Sequence, residues 1–138
     1  MNFDFTQLDD EDRYRLLTNF VGPRPIALVS TIDEAGRHNA APMSFFTVFS
    51  HEPPIVILGI QPRVGGQPKD TVANLRRSGE FVVQMVDMPI AKAMLVTGRD
   101  LPPGEDEIAL AGLTAVAAQQ VKAPRIAESP CAMECRVE

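Results

Sequence analysis

Residue types that often carry catalysis or metal binding are scarce in this chain of 138 residues, which has no tryptophan, two histidines and two cysteines. Cys131 and Cys135 lie four positions apart in a segment that alternates like a strand, which places them about 13 Å apart, too far for a mutual disulfide. We interpret His38 and His51 as solvated turn residues. With no histidine near them, the cysteines make a poor zinc site and are interpreted as small buried side chains.

Clusters of positive charge are also missing. The chain has 13 lysines and arginines against 18 acidic residues, a formal net charge of −5. Arg76 and Arg77 are the only adjacent basic pair in the sequence. A protein that binds nucleic acid or an anionic membrane through charge presents a positive face. We therefore expect neither nucleic acid nor a membrane as a partner.

Long apolar runs and nucleotide fingerprints are absent as well. No stretch approaches the roughly 20 apolar residues that cross a bilayer, and the first residues lack the pattern of a signal peptide. These absences predict a cytoplasmic protein. The sequence has no Gly-x-Gly-x-x-Gly turn, Walker loop, Gly-x-Ser-x-Gly elbow or Cys-x-x-Cys pair. A dinucleotide therefore has no Rossmann module here and would bind only transiently.

What the chain does contain is 45% hydrophobic residues in short segments, enough for one domain over residues 1–138 with a sizeable core. An acidic turn at residues 9–12, followed by helical spacing, predicts a short N-terminal helix at about residues 8–21. Further helices are predicted over residues 70–77, 89–96 and 108–112, and strands over residues 25–32, 38–41, 45–49, 55–60, 81–86, 115–121 and 132–137. This order predicts a mainly β fold with helical excursions, an antiparallel barrel from residue 24 onward that is incomplete at its C-terminal end.

One candidate site lies where a Gly/Pro-rich loop opens a helix, at Pro68-Lys69-Asp70-Thr71. The N-terminus of a helix offers free N–H groups and partial positive charge, to which Lys69 adds an ammonium and Thr71 a hydroxyl. A carboxylate repels phosphate, so we expect Asp70 or Thr71 to cap the helix. Arg63, just upstream, adds to the positive field. The pattern predicts a phosphate site; its alternative is an ordinary capped helix with a solvated lysine.

A second candidate segment, Asn39 to Ser44, combines small residues with a proline between two predicted strands. Small residues let the backbone approach a flat group closely, while Asn39 and Ser44 offer polar contacts. The alternative is a hairpin strand with a proline bend. Together with the phosphate motif, the segment favours a phosphorylated aromatic cofactor.

The order and spacing of these segments resemble the flavin reductase-like, FMN-binding split β-barrel proteins. The resemblance is firm over residues 19–86 and weaker as far as residue 138. It rests on the run from Gly22-Pro23-Arg24-Pro25 to Thr31, on Asn39-Ala40-Ala41-Pro42-Met43-Ser44-Phe45-Phe46, on Pro53-Pro54, and on Pro68-Lys69-Asp70-Thr71 with Asn74.

The resemblance implies that FMN is the cofactor, with its ring against the Asn39 segment and its phosphate at the start of the helix. Arg24 is held extended between two prolines and is either a phosphate or ribityl contact or a surface arginine. Ser30 and Thr31 either contact the ribityl chain or the phosphate, or are ordinary polar residues of the strand. The implied cofactor-binding residues are Arg24, Ser30, Thr31, Asn39, Ala40, Ala41, Pro42, Ser44, Phe45, Lys69, Asp70, Thr71 and Asn74.

The activity implied by the resemblance is that of an FMN-dependent oxidoreductase. Hydride would pass from NAD(P)H, a transient co-substrate, to the flavin and on to free flavin or another small-molecule redox acceptor, with no acid or base required from the protein. The alternatives are an FMN-binding electron carrier or sensor, or a barrel that has lost its ligand. The resemblance also implies a homodimer, and we expect some of Phe45, Phe46, Val48 and Phe49 at its contact.

Overall fold

The computed structural model describes residues 2–63 and 65–138. Among these residues, one helix and four consecutive strands make up the first half, and the second half contains three helices and four strands. The elements are α1 (Asp10–Phe20), β1 (Ala27–Ile32), β2 (His38–Met43), β3 (Phe46–His51), β4 (Pro54–Leu58), α2 (Asp70–Ser78), β5 (Glu80–Met85), α3 (Ala91–Thr97), α4 (Glu107–Leu110), β6 (Ala115–Val116), β7 (Arg125–Ile126) and β8 (Ala132–Arg136).

Four strands form the central sheet, in the order β2-β1-β5-β8, and each neighbouring pair is antiparallel. The pairs β3–β4 and β6–β7 form separate two-stranded ribbons. Within the described residues these sheets do not close into a barrel. The fold is therefore mixed sheet and helix with antiparallel pairing, and an incomplete barrel is consistent with it.

Both faces of the central sheet are covered, which explains why β1 is apolar at consecutive positions and buried along almost its whole length. Side chains alternate between faces along a strand, so neighbouring residues enter different cores. The first core cluster consists of Ala27, Val29, Met43, Phe81 and Val83, with Leu75 of α2 packed against it. The second consists of Leu28, Ala40, Ile90, Ile108 and Ile126 on the opposite face.

The predicted helices and strands are confirmed in position, with shifted ends. The strand predicted over residues 115–121 is the clearest error, because β6 stops at Val116. Beyond it, the backbone N–H groups of Gln119 and Gln120 donate to the carboxylate of Glu134 instead of to a neighbouring strand. None of the described helices is long and apolar enough to cross a membrane.

The cysteines are only partly as predicted. Both thiols are free, but Cys131 is exposed and lies just before β8 rather than within a strand. Cys135 is half-buried against the first core cluster, and burial raises the pKa of its thiol above the usual value. The interpretation of two buried side chains is therefore wrong for Cys131, because it lies outside the strand that carries Cys135.

Candidate functional site

Strand β2 is an edge strand of the central sheet, and the first turn of α2 lies beside it. Two cavities flank this junction. The first, of about 260 Å³ and here called the inner cavity, is lined by Asn39, Thr71 and Glu107 among others. The second, of about 520 Å³ and here called the outer cavity, lies towards α1. Ala41, Pro42 and Lys69 line both, so the two cavities share a wall.

The N-terminus of α2 lacks a side-chain cap. Lys69 is the N-cap residue, its backbone is extended, and no side chain in the described part of the chain accepts from the first-turn amides. The first backbone bond into the helix is from Ala73 N to Lys69 O at 3.1 Å. The N–H groups of Asp70, Thr71 and Val72 therefore have no helical partner. Such amides are the usual donors to a bound anion.

The prediction that Asp70 or Thr71 caps the helix is thus wrong. The carboxylate of Asp70 turns away from the first-turn amides and accepts from Gly104 N at 3.3 Å and from Arg63 at 3.4 Å. The hydroxyl of Thr71 donates to Asn39 at 2.9 Å. Both side chains are engaged by other segments, and the first-turn amides remain available.

Arg63 balances the acidic groups of the inner cavity. Its guanidinium lies 3.4 Å from the carboxylate of Asp70 and 3.2 Å from that of Asp100. It also donates to the carbonyl of Leu101 at 3.1 Å. Lys69 makes no ion pair among residues 2–63 and 65–138. The free positive charge beside the helix N-terminus is therefore that of Lys69, while Arg63 neutralises neighbouring carboxylates rather than adding to the field as predicted.

Asn39 anchors a buried polar network behind the inner cavity. Its Oδ1 accepts from Thr31 Oγ1 at 3.1 Å and from Thr71 Oγ1 at 2.9 Å. Asn74 Nδ2 donates to Thr31 Oγ1 at 3.0 Å. Four side chains from three elements, β1, β2 and α2, meet here. The amide of Asn39 is thus committed to the protein.

Glu107 completes this network and was not identified from the sequence. It is 7% exposed, and its carboxylate accepts from Asn39 Nδ2 at 3.0 Å and from Ala40 N at 3.2 Å. Burial raises the pKa of Glu107, and the hydrogen bonds from Ala40 and Asn39 offset part of that rise. An acid at the start of a short apolar turn carries no signal of such a role. Only the packing of α4 against β2 reveals it.

The outer cavity contains the residues that follow β2. Phe45 and Ser44 line it, together with Tyr14 of α1, whose ring centroid lies 6.1 Å from that of Phe45. Gly59 also lines it, and a Cβ at this position would lie 2.9 Å from Phe45 Cβ. A glycine is therefore required for Phe45 to occupy its place in the wall.

Arg24 connects the C-terminal end of α1 to Ser44 and Phe45, which follow β2. It donates to the carbonyls of Thr18 at 2.5 Å and Val21 at 2.6 Å, and its guanidinium lies 6.0 Å from the centre of the Phe45 ring. Its Nε lies 3.5 Å from Ser44 Oγ. Arg24 thus supports the wall of the outer cavity and lines neither cavity.

The structure separates the remaining predicted site residues. Ser30 is fully buried on the far face of the sheet, where it donates to the carbonyl of Pro124 and accepts from Gln84 Nε2 at 2.9 Å. The side chain of Ala40 is buried in the second core cluster. Thr31 and Asn74 lie behind the inner cavity in the Asn39 network. The cavities therefore bring together Asn39, Ala41, Pro42, Ser44, Phe45, Lys69, Asp70 and Thr71.

Comparison with known proteins gives a consistent result. The profile of the flavin reductase like domain matches residues 22–138. Uncharacterized protein BH2278 of Halalkalibacterium halodurans is 45% identical over 131 residues, which are 95% of this chain and 63% of that protein. The structure is similar to nitrilotriacetate monooxygenase component B from Bacillus cereus, with a TM-score of 0.95 and 35% identity over 100% of this chain and 68% of the other.

A protein with a split barrel domain from Shewanella frigidimarina has the same fold, with a TM-score of 0.81 and 22% identity over 99% of this chain and 68% of the other. The chain spans less than two thirds of the length of BH2278, the curated relative named above. The profile match nevertheless covers most of the sequence, and the resemblance stated from the motifs is confirmed. The chain belongs to the family of flavin reductase like domains.

Proposed function

We propose that this domain belongs to an FMN-dependent oxidoreductase that passes hydride from NAD(P)H to bound FMN and on to free flavin or another small acceptor. The observation that carries the proposal is the uncapped N-terminus of α2 beside Lys69, at the wall shared by the two cavities. Family membership supports a flavin. The proposal names the class of hydride donor, a nicotinamide dinucleotide, and the class of acceptor, a small redox molecule.

The donor set of the inner cavity fits a phosphate monoester. Three first-turn amides lack helical partners, and Lys69 supplies a full positive charge next to them. Two of the carboxylates that would repel an anion, those of Asp70 and Asp100, are paired with Arg63 at 3.4 and 3.2 Å. Hydrogen bonds in which one partner is charged are the strong ones, so these donors favour a phosphate over a neutral group. The hydroxyl of Thr71 contributes less than its amide, because its proton is donated to Asn39.

The outer cavity fits the ring of a flavin. Its floor consists of Ala41 and Pro42, where small side chains expose a flat surface, and Phe45 forms an apolar wall. The volume of about 520 Å³ lies in the range of pockets that hold small cofactors. Lys69 lines both cavities, so a ligand with a phosphate in one and a ring in the other would pass along it.

Bound FMN would supply the hydride-accepting chemistry itself. The residues of this chain would then bind the flavin and orient it. Lys69 and the α2 amides would hold the phosphate, Phe45 and Tyr14 would shield the ring from water, and the Asn39 segment would contribute Ala41 and Pro42 to the surface against it. Arg24 holds α1 in place, so that Tyr14 stays opposite Phe45.

We further propose a homodimer that pairs through the β3–β4 ribbon. Phe45 and Phe46 are used within the chain, the first at the outer cavity and the second against the first core cluster. Val48 and Phe49 are 69% and 68% exposed on the same ribbon. Adjacent apolar side chains of this size favour coverage by a second copy. We propose the cytoplasm as the compartment, because NAD(P)H is supplied there and both cysteines are free thiols.

The decisive experiment is a titration of the purified protein with FMN and with riboflavin, followed by absorbance and flavin fluorescence. We expect FMN to bind more tightly, because riboflavin lacks the phosphate. Lys69→Ala should weaken FMN binding about ten-fold or more and leave riboflavin nearly unchanged. Lys92→Ala removes an exposed lysine from α3 and is the matched control.

Equal losses for the two ligands in Lys69→Ala would contradict the phosphate assignment, and a protein that binds neither ligand would contradict the proposed function. Turnover is tested separately by anaerobic mixing of the FMN-loaded protein with NADH or NADPH. Rapid bleaching of the flavin absorbance is expected of an oxidoreductase. Persistent colour with both nucleotides would favour the alternative function, an electron carrier or sensor.

A further inference from the structure

The carboxylate of Glu107 binds two neighbouring residues of the edge strand β2. One of them, Asn39, also binds Thr71 in the first turn of α2, at the proposed phosphate site. The carboxylate accepts from Asn39 Nδ2 at 3.0 Å and from Ala40 N at 3.2 Å. Asn39 Nδ2 donates to Oε1 and Ala40 N donates to Oε2, so each carboxylate oxygen has one donor. Glu107 lines the inner cavity together with Lys69 and Thr71, and among the described residues its carboxylate accepts no hydrogen bond from the first-turn amides of α2. Its hydrogen bonds therefore connect to that turn through Asn39.

The orientation of the Asn39 amide follows from this arrangement. A carboxylate accepts hydrogen bonds, so the NH₂ end of the amide faces Glu107 and the oxygen end faces the opposite way. There the oxygen receives the hydroxyl protons of Thr31 and Thr71, at 3.1 and 2.9 Å. If the amide turned over, its oxygen would face the carboxylate, and neither hydroxyl would find an acceptor in it.

Thr71 is the second residue of α2, and its hydrogen bond to Asn39 ties the first turn of the helix to β2. The same turn carries the three amides that have no helical partner. One chain of contacts, from Glu107 through Asn39 to Thr71, thus ties these donors to the Asn39 segment, while Leu75 and Asn74 hold the body of the helix against the sheet. Thr71 is 1% exposed and Asn39 is 7% exposed, so water does not compete strongly for these bonds.

We propose that Glu107 is a positioning residue of the anion site: by orienting Asn39 it sets the Thr71 hydrogen bond and thereby holds the first turn of α2 where its amides reach a phosphate. The inference rests on the proposed function, since the phosphate is that of FMN. It requires Glu107 to act as a hydrogen-bond acceptor. Neither its charge nor its volume alone accounts for the role.

Two substitutions separate these requirements. Glu107→Met keeps a similar length but provides no acceptor, so Asn39 loses its orientation. We expect FMN binding to weaken about ten-fold, with little change for riboflavin. Glu107→Gln keeps one oxygen, which can accept from Ala40 N or from Asn39 Nδ2 but not fully from both, and turning Asn39 over would cost the hydrogen bonds from Thr31 and Thr71. We expect FMN binding in Glu107→Gln to weaken less than in Glu107→Met but to stay below that of the wild type.

Glu128→Met is the matched control. The carboxylate of Glu128 also accepts from a backbone N–H, that of Thr114 at 3.0 and 3.1 Å, but it is exposed and lines neither cavity. It should leave the ratio of FMN to riboflavin affinity unchanged. The side-chain NH₂ resonances of Asn39 give a readout without flavin. They should shift in Glu107→Met and stay unchanged in Glu128→Met.

A second pair of variants decides the question even if Glu107→Met does not fold. Asn39→Asp places two carboxylates face to face, and we expect FMN binding to weaken at least as much as in Glu107→Met. Adding Glu107→Gln to Asn39→Asp restores a donor opposite the new carboxylate. The double variant should therefore bind FMN more tightly than Asn39→Asp alone.

The inference is overturned if Glu107→Met binds FMN like the wild type, if it loses affinity for FMN and riboflavin equally, or if Glu107→Gln gives no recovery in the Asn39→Asp background. If the wild type prefers FMN over riboflavin, any of these three results overturns the inference about Glu107 and leaves the proposed function intact. A wild type that binds neither flavin overturns the proposed function, and this inference with it.

Discussion

The hydroxyl of Thr71 donates to Asn39 Oδ1 at 2.9 Å, across 32 residues of sequence, and so joins the start of α2 to the edge of the central sheet. Both residues were expected to address a ligand directly. Instead they bind each other, in a buried network that also includes Glu107, Thr31 and Asn74. The candidate site therefore consists of an outer layer of backbone amides, Lys69 and apolar walls, and an inner layer of side chains that holds them in place.

The first prediction concerns this bond. Thr71→Val keeps the shape of the side chain but removes the hydroxyl, while Thr31 still satisfies Asn39 Oδ1. We expect the free energy of unfolding to fall by about 1 kcal/mol, measured by urea denaturation. Thr47→Val, at an exposed position of β3, is the control and should change stability by less than about 0.5 kcal/mol. Equal stability of the two variants would contradict the role given to the Thr71 hydroxyl.

The second prediction concerns the wall of the outer cavity. In Gly59→Ala the added Cβ would lie 2.9 Å from Phe45 Cβ, so the backbone that carries Phe45 or Gly59 must shift and the ring of Phe45 shifts with it. We expect a loss of about 1–3 kcal/mol in the free energy of unfolding, together with weaker binding of both FMN and riboflavin. Gly22→Ala is the control, since nothing lies within 4 Å of a Cβ at that position. Unchanged flavin binding in a folded Gly59→Ala variant would place the ring elsewhere.

The third prediction concerns pH. Burial raises the pKa of Glu107 above its usual value of 4.5. The folded protein then holds the proton more tightly than the unfolded chain does. This contribution to stability is complete below pH 4.5 and is lost as the pH rises through the raised pKa. Glu107→Gln has no such proton to lose. In urea unfolding series from acid to neutral pH, the stability of the wild type relative to Glu107→Gln should fall with rising pH.

A constant or rising difference between the wild type and Glu107→Gln would contradict this direction and indicate that the hydrogen bonds from Asn39 and Ala40 outweigh burial. Other titrating groups are common to the two proteins and cancel in the comparison, provided that they do not interact strongly with Glu107. The acidic neighbour Asp70 adds to the rise in the pKa of Glu107, by repulsion between carboxylates. The same series in an Asp70→Asn background tests how far it matters.

The fourth prediction concerns assembly. Phe49→Lys places a charge in the exposed apolar surface of the β3–β4 ribbon, and we expect light scattering at micromolar concentration to show a monomer where the wild type is a dimer. Leu95→Lys alters another exposed apolar residue, on α3, and should leave the dimer intact. A wild type that is a stable, flavin-loaded monomer would refute the proposed dimer. A dimer that persists in Phe49→Lys would move its contact to another surface.

The amino-acid sequence by itself determined the local structure and the class of site. The acidic turn at residues 9–12 predicted α1, and the loop before Asp70 predicted α2, which ends at Ser78, one residue beyond the predicted end, with Gly79 after it at a positive φ of 66°. These features are local, since caps, turns and periodicity depend on a few neighbouring residues. The motifs also identified the family, because their order and spacing are properties of the chain alone.

Tertiary structure decided which of the polar residues face the site. Ser30 and Thr31 are adjacent on β1, and strand alternation sends them to opposite faces, but the pattern does not reveal which face holds the site when both are buried. Ser30 faces Gln84 and Pro124, and Thr31 faces Asn39. The strand pattern was therefore correct, but neither side chain lines either of the two cavities: Ser30 lies on the far face of the sheet and Thr31 lies behind Asn39.

Glu107 illustrates the same limit over a longer distance. Its partner Asn39 lies 68 residues earlier, and no pattern within a helix or strand connects the two. Their hydrogen bond exists because α4 packs against the edge strand β2, where Ala40 has a backbone N–H that needs an acceptor. Local physics thus fixed where the helices and strands lie and which motif could bind a phosphate. Long-range packing decided which side chains orient that motif, because buried polar groups must find partners wherever the fold brings them.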